Sequence, residues 1–151
     1  IYDSKARGTI FGLTIGHTRA DVYRSLLEGI AFGIRDIIET IAEEGIYPKK
    51  IIGTAGGTKN HGWMQIVSDI ANIEMTILET ESSAAYGDAF MAGVGMGEFK
   101  SLLENHKWVK NVSTIKPNPD NASLYQDLYK VFKDLYPDTR HHMHFLHDLY
   151  R

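Results

Sequence analysis

Apolar side chains recur at steps of three and four residues between Asp21 and Glu44, which is the spacing of an amphipathic helix. Thr18, with Asp21 three residues later, has the pattern of a capping box, and Gly45 stands where a helix of this length would end. We therefore predict a long helix between these residues. Its apolar stripe consists of Val22, Leu26, Ile30, Ile34, Ile37 and Ile41.

Shorter apolar runs on either side of this helix predict alternating strands and helices. Residues 6–16, 50–55 and 73–79 have the apolar and β-branched content of strands. Helices are predicted for residues 61–71 and for the Ala- and Gly-rich residues 84–97. This order favours an α/β domain in which helices cover a largely parallel sheet. Four residues of the first of these helices are expected to face inward: Trp63, Ile66, Val67 and Ile70.

The C-terminal part of the chain has a different pattern. Residues 110–121 are polar and contain prolines, so we predict a loop there. A last long helix follows, and Pro137 is expected to interrupt it before a shorter helical piece that runs to Tyr150. We accordingly expect a core formed by residues 1–110, on which a loop and helices of residues 111–151 pack. The long helix is marked by Leu124, Leu128, Val131 and Leu135.

Composition and charge narrow the function classes. The formal net charge of −3, without any run of Lys and Arg, argues against a nucleic-acid-binding protein. No apolar run is long enough to span a membrane. The chain contains no cysteine, which excludes disulfides and suits a reducing cytoplasm. Three strands would leave sheet edges bare, so we expect that strands are missing upstream, and association into a homodimer stays open.

A glycine turn between the second strand and the following helix is the strongest candidate for chemistry. Backbone N–H groups at such a turn, together with the helix dipole, can bind a phosphate, and glycine lets a ligand approach the main chain. The nucleotide interpretation therefore assigns ligand contacts to Gly56, Gly57, Thr58 and Asn60. The P-loop and dinucleotide patterns both fail here. The alternative interpretation is a plain turn in which Asn60 is the helix N-cap.

Other chemically suggestive residues have simpler interpretations. His17, Arg19 and Asp21 could serve acid–base catalysis, but they also suit a turn that leads into a helix. The histidines between 141 and 147 show no metal-binding motif, so we expect a helix surface and no metal site. No nucleophile–base pair is evident, and we assign no catalytic residue.

Three separated motifs resemble the C-terminal domain of the FGGY family of carbohydrate kinases. The first is "ARGTIFGLTIGHTRADVYRSLLEGIAFGIRDIIE" at residues 6–39, and its His-Thr-Arg version looks more like the xylulokinase branch than the glycerol kinase branch. The second is "AGGTKNHGWMQIVSDI" at residues 55–70, in which Ala55 replaces the first glycine of the usual triplet. The third is "SSAAYGDAFMAGVGMGEF" at residues 82–99.

The resemblance implies a ribonuclease-H-like, actin-like ATPase domain that lacks its N-terminal strands. It also implies that ATP binds with its adenosine end at Gly56, Gly57, Thr58 and Asn60. Gln65 and Asp69 would either pack the helix or contact the ligand. The family's aspartate base, the Mg²⁺ ligands and most contacts to the sugar, D-xylulose or a related pentulose, would lie outside this fragment. The alternative is a non-catalytic α/β module that binds a nucleotide or a partner chain.

Overall fold

The computed structural model describes residues 3–78, 83–107 and 111–150. Within these ranges the chain is a mixed α/β structure, as the sequence predicts. Short 3₁₀ turns at Gly56–Lys59, Leu102–Lys107 and Pro119–Asn121 connect the larger elements. Those elements are α1 (Arg19–Glu43), β1 (Lys50–Gly53), α2 (His61–Ala71), β2 (Glu74–Leu78), α3 (Ser83–Gly95), β3 (Asn111–Ile115) and α4 (Ala122–Leu149).

The sheet has the order β1-β2-β3. β1 pairs with β2 in parallel, with Lys50 opposite Glu74, whereas β3 pairs with β2 in antiparallel, with Ile115 opposite Met75. The prediction of an uninterrupted loop over residues 110–121 is therefore wrong, as is that of a largely parallel sheet. This polar and β-branched sequence forms a strand because β2 offers it backbone partners, although the register shifts between Ile77 and Leu78. A division at residue 110 stays a prediction.

The predicted caps of α1 are confirmed. The carboxylate of Asp21 accepts hydrogen bonds from the backbone N–H and the hydroxyl of Thr18, both at 2.7 Å. The backbone N–H donation, followed by the hydroxyl donation, lowers the pKa of Asp21. Gly45 follows the helix with a φ of 81°, a left-handed conformation that glycine adopts without strain.

Residues 6–16 do not form the strand that their sequence predicts. A strand needs a neighbour for its N–H and C=O groups, and no described strand lies beside this segment. Its apolar side chains remain in solvent: Ile10 is 50 % exposed, Phe11 69 % and Leu13 54 %. The apolar content of the segment is therefore not used for packing within the described chain.

The hydrophobic core lies where α1 and α4 pack with α2 and the sheet. Six of the eleven α2 residues are buried, including Val67 and Ile70, so α2 is the most enclosed helix that the structure describes. The inward orientation predicted for Ile66, Val67 and Ile70 is confirmed, and Trp63 is partly buried against the same core. The completely buried and nearly buried residues of the core are Ala31, Phe32, Met64, Ile66, Val67, Ile70, Met75, Ile77, Tyr125 and Tyr129.

The face of α1 that packs on the core is not the middle of its predicted apolar stripe. Ala31 and Phe32 are buried, whereas Leu26 and Ile30 are more than half exposed. Phe32 stacks on Phe132, with ring centroids 5.4 Å apart. One part of the apolar surface of α1 is thus covered by this chain, and another part is exposed to solvent.

None of the helices in the described ranges is sufficiently long and apolar to cross a membrane.

Helix α4 continues through Pro137, contrary to the predicted interruption. The carboxylate of Asp3 accepts a hydrogen bond from the Tyr136 hydroxyl at 2.6 Å and contacts His144 Nε2 at 2.7 Å. These two contacts, with a backbone N–H from Lys5, hold the pKa of Asp3 well below its usual range. Since they lie on both sides of the proline, tertiary contacts offset the hydrogen bond that proline cannot donate.

The core face of α4 is offset by one residue from the predicted leucines, since Tyr125 and Tyr129 are buried.

Asp69, in the last turns of α2, fastens this helix to the segment between β3 and α4. Its Oδ1 accepts hydrogen bonds from the Asn118 backbone N–H at 2.8 Å and from Gln65 Nε2 at 2.7 Å, and its Oδ2 accepts one from Asn121 Nδ2 at 2.8 Å. Gln65 Nε2 also donates to the Lys116 carbonyl at 2.9 Å. Of the two roles left open for Gln65 and Asp69, the structure supports packing.

Replacing Asp69 with alanine should lower the free energy of unfolding by roughly 3 kcal/mol, because three donors lose a buried charged acceptor. Urea denaturation followed by circular dichroism measures this loss. The control is Asp127→Ala, since Asp127 is 69 % exposed in its pair with Lys130 and should contribute less than about 0.5 kcal/mol. Equal effects of the two substitutions would contradict the anchoring role.

Candidate nucleotide site

The glycine turn joins the C-terminal end of β1 to the N-terminus of α2. A single 3₁₀ turn at Gly56–Lys59 reverses the chain, and Asn60 then caps the helix. Asn60 Oδ1 accepts the backbone N–H of Trp63 at 3.1 Å. The turn and the N-cap are therefore both present, and the two interpretations drawn from the sequence share one geometry. We call residues 55–60 the elbow.

Ala55 adopts a backbone conformation that is rarely open to a side chain. Its φ is 66° and its ψ is −168°, a region occupied almost only by glycine. The carbonyl of Ala55 accepts the backbone N–H of Thr58 at 3.2 Å and the Thr58 hydroxyl at 2.7 Å. These bonds hold the strained residue in place. A glycine would suit this position because it adopts such a positive φ without strain.

The two glycines of the elbow face different surroundings. A Cβ atom on Gly56 would meet no atom within 4 Å, whereas one on Gly57 would lie 2.9 Å from Cζ3 of Trp63. Gly57 is thus required by close packing on the Trp63 ring, and Gly56 borders open space. Among the described residues, neither backbone N–H has a hydrogen-bond acceptor. The elbow therefore presents two adjacent donors at the start of a helix, which suits a polar or anionic ligand.

Thr58 and Asn60 use part of their polar capacity within the elbow. The Thr58 hydroxyl donates a hydrogen bond to the Ala55 carbonyl, and the Thr58 methyl carbon would lie 3.1 Å from a Cβ on Gly53. Asn60 uses Oδ1 for the cap, which leaves its Nδ2 amide without an acceptor among the described residues and exposed to solvent. Asn60 can therefore donate to a ligand while it caps α2, and Thr58 mainly shapes the turn.

Trp63 adjoins the elbow, although the sequence marks it only as a core residue. Its indole Nε1 is buried and has no hydrogen-bond partner in the described part of the chain. Burying an indole N–H without an acceptor is unfavourable, whereas the ring of Trp63 packs closely on Gly57. Only the three-dimensional structure reveals this contact, because a Gly-to-Trp spacing of six residues has no sequence signature.

The other candidate residues do not assemble into a site. Asp21 belongs to the cap of α1, and Nδ1 of His17 accepts the Thr14 backbone N–H at 2.8 Å, so this segment is a turn. Nδ1 of His147 contacts Arg7 NH2 at 2.7 Å, while His144 contacts Asp3. Within residues 3–78, 83–107 and 111–150, no three His, Asp or Glu side chains are grouped as metal ligands. Trp108, for which packing is a simpler interpretation than ligand binding, lies outside these ranges.

Known proteins match the sequence and the fold of this chain. Residues 1–96 match the FGGY family of carbohydrate kinases, C-terminal domain. The chain is 32 % identical over 139 residues to the xylulose kinase of Bacillus subtilis, covering 91 % of this chain and 28 % of that protein. It superimposes on the Rhodospirillum rubrum xylulose kinase with a TM-score of 0.81 at 31 % identity, covering 92 % of this chain and 28 % of that one.

A more distant solved structure extends the comparison. The glycerol kinase of Plasmodium falciparum, determined with ADP, matches with a TM-score of 0.76 at 26 % identity, over 90 % of this chain and 28 % of that one. The fold is thus that of the actin-like sugar kinases, as expected from the sequence. The chain belongs to the FGGY family of carbohydrate kinases and is similar to its xylulose kinases. It spans about 28 % of the length of the xylulose kinases it matches.

Replacing Ala55 with glycine should raise the free energy of unfolding by about 1 kcal/mol, because the relief of backbone strain exceeds the entropy that glycine adds to the unfolded chain. Thermal and urea unfolding measure the change. Ala122 has an ordinary helical φ of −59°, so Ala122→Gly is a control that should destabilise the chain. If Ala55→Gly destabilised it as well, the strain at the elbow would be refuted.

Proposed function

We propose that this chain is the nucleotide-binding part of an ATP-dependent carbohydrate kinase that phosphorylates a hydroxyl group of D-xylulose or a related pentulose in the cytoplasm. Membership of the FGGY family and the similarity to xylulose kinases support the reaction class and the sugar. The observation that carries the nucleotide assignment is the elbow, where two free backbone donors precede a capped helix beside open space.

The adenosine end of ATP would lie on the elbow. Gly56 lets the ligand approach the main chain, and the N–H groups of Gly56 and Gly57 supply donors. Asn60 would donate from Nδ2 to the base or the ribose, while Thr58 maintains the turn through its bond to Ala55. The presence of ADP in the Plasmodium glycerol kinase structure supports a nucleotide site in proteins of this fold.

The chemical step would depend on groups that this chain does not supply. Phosphoryl transfer needs Mg²⁺ on the ATP phosphates, a base for the sugar hydroxyl and exact alignment of both substrates. As the resemblance to the family implies, Mg²⁺ would be held by the phosphates and by residues outside this chain. The contribution of this chain is then to bind and orient the nucleotide.

We expect that addition of a sugar does not cause the purified chain to produce ADP from ATP. A coupled assay with ATP, Mg²⁺ and D-xylulose, with ribulose and gluconate as further acceptors, measures this. Turnover that requires any of these sugars and exceeds the protein-free blank would show that the chain contains its own catalytic base.

Gly56→Val should weaken ATP binding at least tenfold, because the added side chain enters the open space that the ligand needs. Equilibrium dialysis with labelled ATP measures the dissociation constant, and the urea midpoint verifies the fold. Gly87→Val is the matched control, since a Cβ on Gly87 also meets no atom within 4 Å and Gly87 lies in α3, outside the elbow.

Gly57→Val is not suited to this test, although Gly57 lies next to Gly56 in the elbow. A side chain on Gly57 would collide with Trp63, so a loss of binding would report a distorted elbow. Unchanged ATP affinity in a folded Gly56→Val variant would reject the elbow as the nucleotide site. Failure of both the native chain and a kinase that contains it to bind ATP would favour the non-catalytic module.

A further inference from the structure

Trp63 contacts the elbow at two separate points. Its backbone N–H donates to Oδ1 of Asn60 at 3.1 Å, and its ring carbon Cζ3 would lie 2.9 Å from a Cβ on Gly57. One residue of α2 thus borders both kinds of donor in the elbow, the adjacent backbone N–H groups and the side-chain amide of Asn60. The relative position of these donors therefore depends on where Trp63 lies.

The ring of Trp63 has little freedom to move away from the elbow. Its indole Nε1 is buried, and the side chain packs on the hydrophobic core. The next residue, Met64, is only 5 % exposed and donates its backbone N–H to the Asn60 carbonyl at 3.0 Å. Since close-packed side chains cannot shift without cost, the edge of the Trp63 ring is a fixed surface for Gly57.

Gly57 is required to be a glycine by this ring and not by its own backbone. The glycines with a positive φ are Gly12, Gly45 and Gly97, so the backbone of Gly57 would accept an ordinary side chain. The three atoms nearest to a Cβ on Gly57 all belong to the Trp63 ring, at 2.9, 3.8 and 3.8 Å. Residues 57 and 63 consequently constrain each other.

We propose that Trp63 is a positioning residue for nucleotide binding. Its ring holds Gly57, and its backbone N–H holds Asn60, so that the backbone donors and the Asn60 amide contact one ligand together. The proposal rests on the assignment of the nucleotide to the elbow. Donors that are already in place lose little entropy when a ligand binds, so displacing them weakens binding even if the chain stays folded.

A double-mutant cycle between residues 57 and 63 tests the proposal. Trp63→Phe withdraws the ring edge, because a phenyl ring does not reach the position of Cζ3. Gly57→Ala adds a methyl group that collides with the native ring, and the double variant places this methyl group where the ring edge is missing. Equilibrium dialysis with labelled ATP measures the dissociation constant of the four proteins, and the urea midpoint verifies that each is folded.

Each single substitution should weaken ATP binding by about fivefold or more, and the double variant should return to within about twofold of the native chain. The matched control combines Trp63→Phe with Gly56→Ala, since a Cβ on Gly56 meets no atom within 4 Å. Gly56→Ala should have the same effect on ATP affinity with either residue at position 63. If Trp63→Phe does not fold, Trp63→Leu takes its place in both cycles.

Two results would overturn the proposal. One is native ATP affinity in the folded Trp63→Phe variant, which would restrict Trp63 to a structural role. The other is a double variant in which the losses caused by Gly57→Ala and Trp63→Phe simply multiply, because independent effects exclude positioning through this contact.

Residual dipolar couplings of the ¹⁵N-labelled chain without nucleotide separate this proposal from the nucleotide assignment. Trp63→Phe should change the couplings of the Gly56 and Gly57 N–H groups, while the coupling of the Asn118 N–H group stays native. Unchanged couplings at Gly56 and Gly57 would overturn the positioning role, whatever the ATP affinity. If the native chain binds no ATP but these couplings change, the nucleotide assignment fails, and Trp63 still sets the direction of the elbow donors.

Discussion

The buried carboxylate of Asp69 is the interaction on which the arrangement of the described chain depends. It accepts hydrogen bonds from α2 itself, from the backbone at Asn118 and from the side chain of Asn121. Because the acceptor is charged and only 6 % exposed, the loss of any donor would be costly. This junction sets the position from which α4 starts and therefore brings Tyr125 and Tyr129 onto α1 and α2.

The elbow depends on the same helix at its other end. α2 is fixed by its buried side chains and by Asp69. The ring of Trp63, near the N-terminus of α2, packs against Gly57. The turn can consequently tolerate a strained Ala55 and still present the N–H groups of Gly56 and Gly57 outward. A preformed set of donors loses little entropy on binding, which is an advantage for a site that orients a nucleotide.

Local signals were sufficient for part of this structure. The capping box at Thr18 and Asp21 and the N-cap Asn60 are confirmed because both ends of each interaction lie within three residues. The spacing of apolar residues predicts helix α1 correctly, but it does not show which of its apolar side chains are buried within this chain. The strand predicted for residues 6–16 failed for the same reason: its side chains suit a sheet, but no described strand is beside it. The direction in which Gly57 points and the φ of Ala55 are properties of the folded backbone, and glycine spacing alone cannot show them.

The elbow is proposed to contact the nucleotide through its backbone donors and Asn60. The most direct measurement is a titration of the ¹⁵N-labelled chain with ADP, followed by amide chemical shifts. We predict saturable shifts with one dissociation constant for the amides of Gly56 and Gly57 and the side-chain amide of Asn60, while the amide of Asn118 at Asp69 stays unchanged. Saturable shifts that leave the elbow amides unmoved, or no shift at millimolar ADP, would contradict the account.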